Sequence, residues 1–204
     1  MAEKHVFIFI CGVGNHPGEA KNWTGKAVTH CHTELETFAE KIEYYVNPLL
    51  RPMGEQERAE KTVKTIQRYL AKGFTVSIGT HSNGADVALD ALALMGWPRI
   101  KELHMIAPAC KANWNENGLN VGWVSFERIV VYIAGQDAAL EAADTFLGRA
   151  LGYGTLGQGG PIEPSGNIQV VIEPDFGHST WFDAANFGQT MRRITTPTTA
   201  VFSA

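Results

Sequence analysis

The stretch from residue 74 to residue 90 reads FTVSIGTHSNGADVALD and decides the fold. Its first half is an apolar, β-branched run typical of a buried strand, and its second half has the residue spacing of a helix. Between them lies a corner of small and polar residues, Thr80 to Gly84. A strand that turns sharply into a helix places its corner side chain above the carboxyl edge of the sheet, where open α/β sheets bind their ligands. Ser82 occupies that corner.

Similar elements recur along the chain, which has no internal repeat and no linker-like break. Short apolar runs predict buried strands at His5 to Cys11, Phe74 to Gly79, Glu102 to Ala107, Arg128 to Ala134 and Ile168 to Glu173. Helical spacing lies between them, at Gln56 to Ala71 and at Ala85 to Met95. This alternation predicts one α/β domain over residues 1–204, a doubly wound, mostly parallel sheet of five to six strands with helices on both faces.

Two segments are less clearly defined by their pattern. Asn22 is placed to cap a helix through about His32, and Lys41 to Val46 reads as a further strand, but a single helix from Thr33 to Val46 fits almost as well. We favour the helix followed by a strand. The glycine-rich stretch 148–160 predicts an irregular surface loop, because its glycines are unevenly spaced.

Composition and charge narrow the class of protein. Hydrophobic residues make up 45% of the chain, and its 17 basic and 21 acidic residues give a net charge of -4. A nucleic-acid partner has no electrostatic support in such a chain, so we expect a small-molecule substrate. The apolar run Val6 to Cys11 is too short to span a membrane and has no cleavage site after it. The lack of an export signal and the scattered spacing of the three cysteines together predict a reducing, cytoplasmic setting. The sequence leaves the oligomeric state open.

The corner carries a near match to a known catalytic turn. A nucleophile elbow reads Gly-x-Ser-x-Gly because the turn needs small residues two positions either side of the serine. Here Gly84 supplies the second glycine, whereas Thr80 replaces the first. The alternative is that Ser82 only caps the helix that follows, a role that serine favours. His81 is expected to project away from the serine and to pack beneath the turn.

A reactive serine also needs a base, and that base needs an acid to orient it. Asp137 follows the strand that ends at Ala134, and His178 lies in the loop after the strand that ends at Glu173. Each has an alternative role, because Asp137 could cap a helix that begins at Ala138 and His178 could be an ordinary loop histidine. Two other carboxylates, Asp144 and Asp175, are also placed to serve as the acid.

Together these motifs make the chain resemble the α/β-hydrolase superfamily, and in particular a small serine esterase or lipase without a cap domain. The resemblance extends from the first strand to the helix after His178, and the order Ser, Asp, His is the order used in that fold. It implies that Ser82 is the nucleophile, His178 the general base and acid, and Asp137 the orienting carboxylate. No cofactor is implied.

Ester hydrolysis also requires backbone N–H groups that bind the negatively charged oxygen of the tetrahedral intermediate. The resemblance assigns one to Asn83, directly after the serine, and the second to Val13, with Gly12 as its neighbour if the register differs by one. A dinucleotide loop is not indicated there, because Pro17 stands where the third glycine is needed, and no P-loop pattern is present.

A metal site is not predicted. His30, Cys31, His32 and Glu34 have suitable residue types, but residues 30 and 32 diverge on a helix and no paired motif completes a coordination shell.

The substrate is expected to be a small ester bound by aromatic walls. Trp114 and Trp123 fall in insertions near the carboxyl edge, and Trp181 follows His178. Each of these tryptophans could equally fill a gap under a long loop. The same triad would also serve a thioesterase, an amidase or an acyltransferase, and a non-catalytic binding module with this fold is the alternative from another class.

Overall fold

The fold is described from a computed structural model that covers residues 4–12, 23–44, 53–113, 125–145, 148, 150, 153–162 and 167–196. The predictions for Val13, Trp114 and Trp123 lie outside these residues.

Six strands and six α-helices are described, together with one 3-10 helix. The strands are β1 (His5–Ile10), β2 (Phe38–Ile42), β3 (Thr75–His81), β4 (Ile100–Ile106), β5 (Phe126–Ala134) and β6 (Ile168–Glu173). The helices are α1 (Trp23–Glu34), α2 (Glu55–Leu70), α3 (Gly84–Leu94), α4 (Ala138–Ala143), α5 (Leu156–Gly159) and α6 (Phe187–Thr195), and the 3-10 helix is Thr180–Phe182.

The strands form one sheet in the order β2-β1-β3-β4-β5-β6, and all of its pairs are parallel. The chain runs from β1 outward to β2 and then returns to place β3 on the other side of β1. In open α/β sheets, ligands bind at such a reversal, which here lies at the carboxyl ends of β1 and β3. The loops after β5 and β6 begin at the same edge, and the sheet predicted from the sequence is confirmed.

Helices cover the sheet on both faces, which explains why the central strands are largely apolar. Along β1 the side chains alternate: Ile8 packs in a core with residues of α2 and α3, whereas Phe9 packs in a core with Trp23 of α1 and Met191 of α6. Ile8 and Phe9 are both completely buried. Burial of each such side chain contributes about 1.5 to 3 kcal/mol, so the sheet is a rigid base for the loops at its edge.

The region between β1 and α2 follows the favoured prediction in order but not in register. A helix is followed by a strand, so a single helix over Thr33 to Val46 is wrong. The strand begins at Phe38 and not at Lys41, and it pairs only with β1. Its polar residues Glu40 and Lys41 are tolerated because β2 is an edge strand, and this polarity obscured it in the sequence.

The glycine-rich segment is also better ordered than its composition indicates. In the described residues 153–160 of this segment, Leu156 is completely buried and begins α5. A Cβ atom on Gly154 would lie 2.3 Å from the carbonyl oxygen of Cys110, and one on Gly157 would lie 2.5 Å from the carbonyl carbon of Ala107. These glycines therefore allow two backbone segments to pack directly on each other, and the prediction of an irregular surface loop is wrong for this part.

Candidate active site

Ser82 lies in a strained turn between β3 and α3. Its φ angle is 55°, in the left-handed region that non-glycine residues avoid at a cost of about 1 to 3 kcal/mol. Neighbouring backbone holds this conformation: the Ser82 amide donates to the Ile106 carbonyl at 3.0 Å, and the Ser82 carbonyl accepts from the Ala109 amide at 3.2 Å. Such strain is a feature of a nucleophile elbow.

The two small-residue positions of the motif are not equivalent. A Cβ atom on Gly84 would lie 2.6 Å from the carbonyl oxygen of Ile10, so only glycine fits there. Thr80, by contrast, is buried and its hydroxyl donates to the His104 carbonyl across the sheet at 3.2 Å. Threonine in place of the first glycine is therefore accommodated.

The capping alternative for Ser82 does not describe this turn. The residue that precedes α3 is Asn83, and no side-chain hydrogen bond caps the helix. Helix capping therefore does not explain the left-handed conformation of Ser82.

Asp137 and His178 meet beyond the ends of β5 and β6. His178 Nδ1 lies 2.8 Å from Asp137 Oδ2, although the two residues are 41 positions apart. Because a carboxylate can only accept, Nδ1 carries the proton and Nε2 is left to accept one. The Asp137 side chain is completely buried and that of His178 is 20% exposed, so the pair is anchored inside and open on one side.

Asp137 caps a helix, as its sequence position allowed, and also contacts His178. Its second oxygen, Oδ1, accepts from the Leu140 amide at 2.9 Å and caps α4. The helix thereby fixes the carboxylate while the other oxygen orients the imidazole. Of the carboxylates that the sequence allowed as the acid, Asp137 is the one that contacts His178 Nδ1, and Asp175 is exposed.

The loop that carries His178 is stabilised within itself. The Gly177 amide donates to the Thr180 hydroxyl at 3.0 Å, and the Asn186 side-chain amide donates to the Thr180 carbonyl at 3.0 Å. The backbone on either side of His178 is therefore tied to the start of α6.

The end of β1 lies directly beside the serine. A Cβ atom on Gly12 would come within 2.8 Å of Ser82 Cβ and 3.4 Å of Ser82 Oγ. Asn83, which follows Ser82, is completely buried, and its side-chain amide donates to Asp86 at 3.3 Å. The geometry thus brings together the backbone from which the two oxyanion donors are expected, while Val13 lies outside the described residues.

His81 lies closer to the site than its sequence position predicted. Its side chain is buried, and its Nε2 lies 3.0 Å from the carbonyl oxygen of His178. The two imidazole rings are 4.7 Å apart between centroids. Because His81 precedes Ser82, this contact places the serine turn beside the histidine loop. Nothing in the sequence signals it, since the partner is 97 positions away.

Trp181 does not line a substrate surface. It is completely buried and packs edge-on against Tyr132 at 5.5 Å and Phe176 at 4.8 Å between ring centroids. The expectation that Trp181 forms a wall of the pocket is therefore wrong. Its ring instead supports the His178 loop from the core side. In the sequence, a bulky aromatic residue near a loop histidine fits either a pocket wall or a core position. Its burial in the structure distinguishes the two.

Two of the histidines with metal-ligand potential in the sequence make other contacts. His30 Nδ1 lies 3.5 Å from Glu34, and His32 accepts from the Ala39 amide at 3.3 Å. Cys31 is buried. Within the described ranges no group of three or more His, Cys, Asp or Glu side chains is arranged to hold a metal ion, and no helix there is long and apolar enough to cross a membrane.

Comparison with solved structures identifies the fold. The sequence matches no protein-family model and no curated protein. A protein of the α/β hydrolase superfamily from Xanthomonas campestris pv. campestris superposes with a TM-score of 0.56 and 15% identity, over 94% of this chain and 96% of its own. An acetyl xylan esterase from Paenibacillus sp. R4 gives 0.54 and 13%, over 94% of this chain and 73% of its own.

A third structure, YbtT, a type II thioesterase of the yersiniabactin pathway, gives a TM-score of 0.52 and 10% identity, over 94% of this chain and 93% of its own. At such identities the likeness concerns the fold. The chain therefore has the α/β-hydrolase fold, and the resemblance drawn from its motifs is confirmed at that level.

Proposed function

We propose that this protein is a serine hydrolase that cleaves carboxylic esters through an acyl-enzyme on Ser82. The observation that carries the proposal is the 2.8 Å contact between His178 and Asp137, at the same sheet edge as a serine with a φ of 55°. A serine hydroxyl is a weak nucleophile at neutral pH, and it becomes reactive when a positioned base accepts its proton.

In the first half of the reaction, His178 Nε2 accepts the Ser82 proton as Oγ attacks the ester carbonyl carbon. The carbonyl π electrons move to oxygen and give a tetrahedral oxyanion. Asp137 stabilises the imidazolium and keeps it in one orientation. When the intermediate collapses, the bond to the alcohol oxygen breaks and His178 transfers its proton to that oxygen, which leaves as the alcohol.

In the second half, His178 accepts a proton from water, and the hydroxide attacks the acyl carbon. The acid leaves with the Ser82–acyl bond broken, and Oγ recovers its proton from His178. The Asn83 amide and the Val13 or Gly12 amide would bind the oxyanion in both halves. Loss of one such donor costs about 2.7 to 4 kcal/mol, so these amides are a large part of the expected catalysis.

The substrate we propose is a small, weakly polar ester, and the reaction requires no metal or cofactor. The three cysteines are buried and form no disulfide with one another, so the reducing, cytoplasmic setting is retained as a prediction.

Labelling with a fluorophosphonate tests the proposal, because only an activated serine reacts. We expect one label on Ser82, located by mass spectrometry, and turnover of a short-chain p-nitrophenyl ester. Ser82→Ala should lose both, with a fall in kcat of at least about a thousandfold. Ser179→Ala removes an exposed serine beside His178 and is the matched control, which should keep both activities.

A wild-type protein that takes no label would refute the proposal and favour a binding module. Comparison of ester, thioester and amide substrates then assigns the acyl chemistry, since all three would use the same residues.

A further inference from the structure

Among the described residues, the side chain of His81 makes one hydrogen bond, and it leads to the candidate base. Its Nε2 lies 3.0 Å from the main-chain carbonyl oxygen of His178. A carbonyl oxygen can only accept, so Nε2 carries the proton and donates it. The His81 residue is only 6% exposed, so water competes poorly for this donor.

The environment of His81 keeps its ring uncharged. Burial, together with the nearby His178, lowers the pKa of His81 to about 3. A neutral imidazole has one N–H, and here that N–H is used on the His178 carbonyl. The other nitrogen, Nδ1, is buried and has no hydrogen-bond partner within the described structure. The whole donor capacity of His81 is therefore directed at His178.

Aromatic side chains fix the plane of the His81 ring. Phe182 meets it edge-on at 5.0 Å between centroids, and Trp23 lies at 6.5 Å with an interplanar angle of 82°. Trp23 and Phe182 stack on each other at 4.6 Å. A ring held in this way cannot swing out of hydrogen-bond range without disturbing the core between β1 and α1.

We propose that His81 is a positioning residue that holds the backbone of His178, so that the imidazole keeps one orientation between Asp137 and Ser82. His178 is then held at two points, by Asp137 at its side chain and by His81 at its carbonyl. Because His81 and Ser82 are consecutive, one short rigid segment carries both the nucleophile and the support for its base. This inference rests on the proposed function.

The expected effect is on the rate of the chemical step, since a displacement of about 1 Å at a catalytic group can cost about a hundredfold. If His81 only filled space in the core, its variants would rank in a different order of activity. A packing residue is replaced best by another aromatic ring, whereas a positioning donor is replaced best by a side chain that presents an N–H at the same place.

Three variants separate these roles. In His81→Gln the amide nitrogen reaches about as far as Nε2, in His81→Asn it reaches only as far as Nδ1, and in His81→Phe the ring remains without a donor. We expect His81→Gln to keep kcat within about threefold of wild type, and His81→Phe and His81→Asn to lower it ten- to a hundredfold, with KM changed less than twofold in each. Circular dichroism and thermal melting confirm that each variant is folded.

A second measurement needs no turnover. The proton on His178 Nδ1, shared with Asp137, gives a proton NMR signal downfield of the amide region, which depends on the orientation of the ring. We expect this signal in the wild type and in His81→Gln, and its broadening or loss in His81→Phe. If His81→Phe kept both the signal and wild-type kcat, or if His81→Gln were as impaired as His81→Asn, the inference would be overturned.

The two proposals fail in different ways. A wild-type protein without esterase activity or fluorophosphonate labelling would refute the proposed function alone. Loss of the NMR signal in His81→Phe, with its retention in His81→Gln, would still support the positioning role.

Discussion

The backbone amide of Gln136 donates a 2.9 Å hydrogen bond to the carbonyl of Phe176. The loop that carries Asp137 is thus bound directly to the loop that carries His178. The Gly135 amide adds a second bond of 2.9 Å to the Glu173 carbonyl. These backbone bonds hold the two loops in the arrangement that brings Asp137 Oδ2 within 2.8 Å of His178 Nδ1.

Gly135→Ala is expected to separate these loops. A Cβ atom at this position would lie 2.4 Å from the carbonyl oxygen of Pro174, so the backbone has to move. We expect kcat for ester hydrolysis to fall at least tenfold and the free energy of unfolding to fall by about 1 to 3 kcal/mol. Enzyme kinetics and urea unfolding measure the two effects.

Gly25→Ala is the matched control for that substitution. Gly25 lies in α1, where the nearest atom to a new Cβ would be Lys41 Nζ at 3.7 Å, an ordinary contact. Alanine in a helix is more favourable than glycine by about 0.5 to 1 kcal/mol, so this variant should be as active as wild type and slightly more stable. Equal losses in the two variants would contradict the role given to Gly135.

Much of this arrangement could be predicted from the sequence, because the residues concerned follow buried strands. The strands β1, β3, β4, β5 and β6 are apolar runs, and parallel strands bring the residues after them to one edge. That is why Asp137 and His178 could be paired across 41 positions. The register of β2 could not be predicted, since an edge strand needs no continuous apolar run.

Contacts that depend on the direction of a side chain could not be predicted as well from the sequence. The sequence showed that His81 adjoins Ser82 but contained no sign that its ring reaches the carbonyl of His178. For Trp181, its position shortly after His178 indicated a pocket wall, whereas the side chain turns into the core. Local position determines which loop a residue occupies, but packing against distant elements determines which way it points.

Asp137→Asn tests the two roles of the carboxylate separately. Asparagine retains an oxygen that can accept from the Leu140 amide and so keep the α4 cap. It would present an N–H₂ group to His178, which favours the wrong tautomer of the imidazole. By analogy with triad enzymes we expect kcat to fall roughly a thousandfold or more.

Asp137→Ala would lose the cap as well. Its free energy of unfolding, measured with urea, should be about 1 kcal/mol lower than that of Asp137→Asn. Asp175→Asn, at an exposed carboxylate in the same loop as His178, is the control and should retain wild-type activity. Loss of activity in that control, with retention in Asp137→Asn, would identify Asp175 as the acid.

The glycine-rich segment is expected to support the serine turn. The Gly154 amide donates to the Ala109 carbonyl at 2.8 Å, while the Ala109 amide donates to the Ser82 carbonyl at 3.2 Å. Gly154→Ala would bring a Cβ atom within 2.3 Å of the Cys110 carbonyl oxygen. We expect a loss of about 1 to 3 kcal/mol in stability and a lower kcat, measured by urea unfolding and ester hydrolysis.

Gly159→Ala is the comparison, because nothing lies within 4 Å of a Cβ atom at that position. Its free energy of unfolding should lie within about 0.5 kcal/mol of the wild-type value, and its kcat should lie within about twofold. A Gly154→Ala variant that behaves like Gly159→Ala would show that the segment does not support Ser82.

Stability is expected to fall in mild acid because two histidines are buried without charge. Burial lowers the pKa of His81 to about 3, and it also lowers the pKa of His104. His104 Nε2 donates to Glu102 at 3.0 Å, and its Nδ1 accepts from the Tyr132 hydroxyl at 3.0 Å. In the unfolded chain both histidines titrate near pH 6.5. Below that pH the unfolded state binds more protons than the folded state.

The resulting stability is fully present above about pH 6.5 and is lost as the pH falls, on the order of 1 kcal/mol per pH unit for His81, and the lowered pKa of His104 acts in the same direction. Urea unfolding at several values between pH 7.5 and pH 5 measures this slope. His81→Gln should make it shallower, because one buried histidine is removed, whereas His32→Gln, at an exposed position, should leave it unchanged. An unfolding free energy that stays constant over this range, or an equal slope in wild type and His81→Gln, would show that His81 takes up a proton as readily in the folded protein as in the unfolded chain.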